Sequence, residues 1–114
     1  MINLYIVRHG KTDWNKEGII QGITDIPLNE EGINDSKTLK LEIDKLKIDI
    51  CISSPLKRAL ETAKIITDSK IIIDELLIER KFGNYEGTKV NDDFFDKYWN
   101  YALNSSDNDV ESIK

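Results

Sequence analysis

A chain of 114 residues fits one domain at the small end of the usual range, with room for a real but modest core. An apolar share of 39% beside 32% charged residues is ordinary for a water-exposed globular protein. The net charge of −5 argues against non-specific binding to nucleic acid or to an anionic membrane surface, so any bound anion needs a local cluster of positive charge.

The apolar run Ile2–Val7 reads as a buried strand, and Arg8-His9-Gly10 follows it directly. Six residues broken by Arg8 are too short for a secretory core or a membrane span, which leaves the cytoplasm as the default location. Residues 11–28 form a long loop punctuated by Gly18, Gly22 and Pro27, and a loop of that length after a strand is unusual unless it is functional. Asn29 is a good N-cap, with Glu30 and Glu31 in the first turn where the helix dipole favours them. Ser36, Leu39, Ile43 and Leu46 then mark one face of a helix reaching about Lys47, with Gly32 a mild cost in its first turn.

Ile48–Ser53 is the second strand. It contains Cys51, which reads as a small core residue; a lone cysteine excludes an internal disulfide and suits a reducing compartment. Ser54-Pro55 reads as a cap followed by proline at the first helical position. Leu56, Ala59, Ala63 and Ile66 give the stripe of a second helix ending near Asp68, and Ile71–Ile73 is a short third strand. Strand–helix–strand–helix–strand order predicts an α/β fold: three layers, with helices on both faces of a mainly parallel sheet and right-handed crossovers. Asp74–Gly87 has no period and reads as a second long loop. Lys89 to Leu103 carries Phe94, Phe95, Tyr98, Trp99 and Ala102, a helix whose aromatic face serves core packing before ligand binding. Asn104–Asp109 is a polar linker, and Val110–Lys114 looks like the first turn of a helix without a body.

Arginine is the telling residue. Thirteen lysines accompany only three arginines, Arg8, Arg58 and Arg80, each at a strand end, a helix start or a glycine-punctuated loop. Arginine is needed where a planar fork grips two oxygens of a phosphate or carboxylate; buried salt bridges are the alternative, above all for Arg80. Arg58 lies in a first helical turn, where free N–H groups and the positive dipole end add to its charge. His9 is the only histidine. It reads either as a loop residue behind an edge strand or as a reactive imidazole at the carboxyl edge of the sheet, where α/β proteins bind ligands. Arg8, Arg58 and that helix end beside one imidazole suit a phosphate monoester. With one histidine and one cysteine, no usual zinc or iron ligand set can be assembled, so no metal or other cofactor is expected.

Three blocks carry a family resemblance. The first is Arg8-His9-Gly10 with Thr12, Trp14-Asn15, Gln21-Gly22, Asp25, Pro27-Leu28 and Gly32. The second is Ser53-Ser54-Pro55-Leu56 with Arg58-Ala59 and Thr62-Ala63. The third is Glu79-Arg80 with Phe82-Gly83 and Tyr85-Glu86-Gly87. In order and spacing, from residue 1 to about residue 90, the chain resembles the histidine phosphatase (phosphoglycerate-mutase-like) superfamily. The resemblance implies that His9 is the nucleophile that becomes phosphohistidine. Arg8 and Arg58 would bind the phosphoryl oxygens, with Asn15 a further donor. Glu79 would be the general acid and then the base, whereas its bare sequence context reads as a surface carboxylate. Gln21 and Thr24 would lie along the substrate side. Holding a proton near neutral pH would require Glu79 to be buried away from the arginines.

Hydrolysis of a small phosphomonoester is the function implied. Phosphoglycerate-mutase-type transfer is the alternative, and a non-catalytic remnant that binds phosphate or a partner chain is a third reading. Phe82-Gly83-Asn84-Tyr85-Glu86-Gly87 and Ser53–Ala59 look more like the phosphatase branches. The family pattern also needs a second histidine from the carboxyl-terminal part of the fold, and this chain has none. Residues 1–114 are therefore expected to be an incomplete, amino-terminal part of such a domain. The sheet edge beside Ile2–Val7 would be uncovered, which promotes self-association.

Overall fold

A computed structural model of the chain describes residues 2–90. In chain order the elements are α1 (Asp13–Glu17), α2 (Glu30–Ile43), β1 (Ile50–Ser53), α3 (Lys57–Ile66) and β2 (Lys70–Ile73), with 3-10 turns at Asp44–Leu46, Glu75–Leu77 and Gly83–Tyr85. β1 and β2 pair in parallel, Ile50 opposite Lys70 and Ser53 opposite Ile73. A parallel pair needs a crossover, and α3 supplies it. α2 packs on α3, and α3 on β1. The α/β class and the parallel sheet expected from the sequence are thus the architecture of the chain.

The local signals behind these elements are plain. Asn29 caps α2 by accepting the Gly32 N–H on its side chain at 2.8 Å. Ser36 and Ile43 of the expected stripe are buried, and Lys47, in the left-handed region at φ 53°, ends the turn that follows α2. On α3, Ala63 and Ile66 enter the core as expected, but Arg58 and Thr62 are buried with them. The remaining core residues are Ile20, Leu28 and Phe82, with Tyr85 packed against Ile20 and Phe82.

Three expectations are corrected. Ile2–Val7 is not a buried strand: Ile2, Leu4 and Ile6 are 95%, 81% and 89% exposed, and among the described residues no ladder joins this run to β1, which pairs there with β2 alone. Apolar composition fits a segment for a sheet, but only a neighbouring strand can bury it. Second, α3 starts at Lys57 with Leu56 as N-cap, so Pro55 lies before the helix and the Ser54 hydroxyl accepts the Leu56 N–H at 3.3 Å instead of capping a helix that starts at Pro55. Third, residues 11–28 are not all loop. Thr12 and Asn15 close a reciprocal capping box that opens α1, which ends at Gly18 with φ 69°. The expected aromatic helix lies outside the described residues apart from Lys89 and Val90; Lys89 bridges Ile19. Among the described residues, no helix is long and apolar enough to cross a membrane.

Candidate active site

The Arg8-His9-Gly10 segment crosses the first turn of α2 at contact distance, and two glycines make the crossing possible. A Cβ on Gly10 would lie 2.9 Å from the Gly32 carbonyl oxygen, and one on Gly32 would strike the Lys11 backbone. Gly32 therefore has a steric purpose that outweighs its mild cost in helix propensity. Beyond the crossing, the Asn29 N–H donates to the Lys11 carbonyl at 2.9 Å.

His9 is half-buried. Its Nδ1 lies 2.6 Å from the Gly10 carbonyl oxygen. A carbonyl only accepts, so Nδ1 carries the proton and donates, and in the neutral ring Nε2 keeps a free lone pair. Burial pushes the imidazole pKa below its ordinary value; the Gly10 hydrogen bond opposes this, the Arg58 and Arg8 charges add to the lowering, and Glu79 opposes it. His9 shares an open cleft of about 540 Å³ with Arg8, Asn15, Lys16 and Thr62. Arg8 is exposed and makes no hydrogen bond or ion pair among the described residues. Asn15 spends its side-chain oxygen on the Thr12 N–H, which it accepts at 3.0 Å, so its amide N–H groups remain for a ligand.

Arg58 is 2% exposed. Its Nη1 donates to the Thr24 carbonyl at 3.0 Å and its Nη2 to the Gly22 carbonyl at 2.7 Å. Burial lowers its pKa, against the opposing charges of Glu79, Asp25 and Glu86, but a guanidinium stays protonated throughout. Two of its five N–H donors are used on these carbonyls. Asp25 fastens the same loop to α3 by accepting the Lys57 N–H, the first of the helix, at 2.6 Å.

Glu79 is exposed, contrary to the burial expected of it, because the segment after β2 runs on the surface through a 3-10 turn. Its Oε1 accepts the Arg80 N–H at 2.9 Å, and its charge acts on both His9 and Arg58. Gln21 is buried, and its side-chain oxygen accepts the Thr12 hydroxyl at 2.7 Å. Thr24 gives both its N–H (2.9 Å) and its hydroxyl to the Glu86 carboxylate. Of the expected site residues, Arg8 and Asn15 line the cleft with His9, whereas Arg58, Glu79, Gln21 and Thr24 do not. Arg80 stacks its guanidinium 5.3 Å above the centre of the Phe82 ring.

Two residues outside the expected site do structural work. Glu86 also accepts the Phe82 N–H at 3.0 Å, and a Cβ on Gly22 would lie 2.5 Å from its Oε2, so Gly22, at φ 54°, is held against a carboxylate that joins the 21–24 and 82–86 loops. Thr62 accepts the Gly10 N–H at 2.8 Å and donates to the Arg58 carbonyl at 2.7 Å. Its position four residues after Arg58, on one helix face, was the available signal.

This arrangement has relatives. The model of the histidine phosphatase superfamily (branch 1) matches residues 4–114, so the chain belongs to that superfamily. It is 36% identical over 101 residues to phosphoserine phosphatase 1 of Hydrogenobacter thermophilus, covering 86% of this chain and 47% of the relative. It is also 36% identical over 97 residues to a 2,3-bisphosphoglycerate-dependent phosphoglycerate mutase of Mesorhizobium japonicum, covering 78% and 47%. Among solved structures it resembles phosphoserine phosphatase in complex with 3-phosphoglyceric acid from Entamoeba histolytica: TM-score 0.69, 33% identity, 91% of this chain and 52% of that one. The chain thus spans about half the length of these relatives.

Proposed function

We propose that the protein hydrolyses small phosphomonoesters through a phosphohistidine on His9, in the cytoplasm and without a metal or other cofactor. The observation that carries this reading is the His9 tautomer: Nδ1–H is committed to the Gly10 carbonyl, so Nε2 is the unprotonated atom, in a ring whose protonation is disfavoured by burial and by two arginines. In the first step Nε2 attacks phosphorus in line, the P–O bond to the substrate alcohol breaks, and the leaving oxygen takes a proton from Glu79, whose carboxyl is exposed in the free chain and would hold that proton once bound substrate covers it. In the second, the Glu79 carboxylate takes a proton from water, whose oxygen attacks phosphorus. The P–N bond breaks, and inorganic phosphate and the neutral imidazole are released. Arg8, Arg58 and the Asn15 amide would neutralise and orient the phosphoryl oxygens, the largest contribution expected in phosphoryl transfer. The substrate's organic part would have to extend beyond the cleft to meet Gln21 and Thr24, which lie outside its lining.

Phosphoserine and phosphoglycerate are the first substrates to try, since relatives bear the names phosphoserine phosphatase and phosphoglycerate mutase. The test measures phosphate release from both, and 3-phosphoglycerate isomerisation with and without 2,3-bisphosphoglycerate. Phosphate release without isomerisation is the expected result. Isomerisation that depends on the bisphosphate would make the protein a mutase, and neither reaction would leave a phosphate-binding remnant.

A further inference from the structure

We propose that Thr62 is a positioning residue whose hydroxyl sets the His9 ring in register with Arg58. A continuous line of hydrogen bonds joins the two. The Thr62 hydroxyl donates to the Arg58 carbonyl at 2.7 Å and accepts the Gly10 N–H at 2.8 Å; the other end of Gly10, its carbonyl, accepts His9 Nδ1–H at 2.6 Å. Gly10 is thus held at both its polar atoms. It has no room to shift toward α2, where the Gly32 carbonyl, the Leu28 side chain and the Ser36 hydroxyl wall it in at 2.9–3.1 Å from a notional Cβ. Thr62 is 4% exposed, so water does not compete for either bond. The turn of α3 between Arg58 and Thr62 therefore works as a ruler: the residue that carries the guanidinium also anchors, through one hydroxyl, the peptide that orients the imidazole.

The proposal rests on the reading of His9 as nucleophile, but its test needs no turnover. His9 is the only histidine, so its ring signals in NMR are assigned without ambiguity. Thr62→Val keeps the shape and loses the hydroxyl; Thr62→Ser keeps the hydroxyl and loses the methyl. The wild-type ring should be chiefly the Nδ1–H tautomer, and Thr62→Ser should match it. Thr62→Val should swing the ring toward the Nε2–H tautomer, which free imidazole favours. It should also raise the His9 pKa toward its ordinary value as the ring gains solvent, and weaken inorganic phosphate binding about tenfold, the worth of one charge-coupled hydrogen bond. A residue that merely packs α3 would give the reverse order, with Val like the parent and Ser impaired. That order, or a Val variant whose tautomer is unchanged, overturns the proposal. If the Val variant does not fold, the Ser variant decides: a ring tautomer departing from the parent overturns the proposal, and one matching it supports the hydroxyl. Failure of the nucleophile reading is separate: it would appear as a phosphoryl adduct that survives His9→Ala.

Discussion

Arg58→Lys keeps the charge of Arg58 and removes its fork. The native guanidinium reaches two carbonyls, Thr24 at 3.0 Å and Gly22 at 2.7 Å, from a side chain that is 2% exposed. A lysine ammonium is a point charge on a linear stem and can satisfy one of them at best. A hydrogen bond from a charged donor contributes about 1.5–3 kcal/mol, and the abandoned buried carbonyl adds its own desolvation penalty. The loss therefore comes to about 2–3 kcal/mol. In a domain near 100 residues each kcal/mol moves the melting temperature by about 4–8 °C, so the variant should melt about 10–20 °C lower. Its phosphate donors fall as well, since Arg58 has three N–H groups beyond those spent on the loop. The assay is thermal denaturation by circular dichroism beside phosphomonoester hydrolysis for the parent, Arg58→Lys and Arg58→Ala. The lysine variant should lie close to the alanine variant in both. A lysine variant melting within about 2 °C of the parent, with most of its activity, would refute the reasoning and leave Arg58 a point charge.

Four further outcomes follow from the same geometry. Glu79→Gln should slow hydrolysis of alkyl phosphates far more than that of activated aryl phosphates, whose leaving groups need little protonation; steady-state rates on both types check this, and equal losses would remove Glu79 from proton transfer. Gly32→Ala, which would stabilise an ordinary helix by up to about 1 kcal/mol, should instead destabilise this protein by about 1–3 kcal/mol in urea denaturation, because the new methyl meets the Lys11 backbone. His9 has a lowered pKa when folded, so the unfolded chain takes up the proton first; the His9 contribution should be intact above about pH 6.5 and lost as pH falls through 6.5 to the folded value, and His9→Gln should flatten that part of the stability profile. The 114-residue chain should associate through exposed Ile2, Leu4 and Ile6, and replacing all three by serine should reduce the mass seen by light scattering.

What the sequence made legible is what is decided locally. Asn29 and the Ser36–Ile43 spacing specify α2 from within, and the runs Ile48–Ser53 and Ile71–Ile73, short and bounded as strands should be, contain or adjoin the observed strands Ile50–Ser53 and Lys70–Ile73. Ile2–Val7 has the same composition, yet among the described residues it joins no sheet, because pairing belongs to the partner and not to the run. The start of α3 was misplaced for a similar reason: its first N–H, that of Lys57, is satisfied by Asp25, 32 residues away in sequence, and no local signal encodes that. α1 was hidden because its capping box uses Asn15 where the familiar pattern has Glu or Gln. At the site, the motif residues Arg8, His9 and Asn15 were legible and share one cleft. The residues that fix their geometry were not, since Thr62 acts on Gly10 across 52 residues and Glu86 on Thr24 across 62.

A phosphoryl group carried covalently on His9 can be trapped. The protein is incubated briefly with a phosphomonoester labelled in its phosphoryl group, quenched, and divided between acid and base. A protein-bound phosphoryl group should form that is lost in acid, survives base, maps to His9, and is absent from His9→Ala. Label that persists in His9→Ala, or that survives acid, would contradict a phosphohistidine on His9.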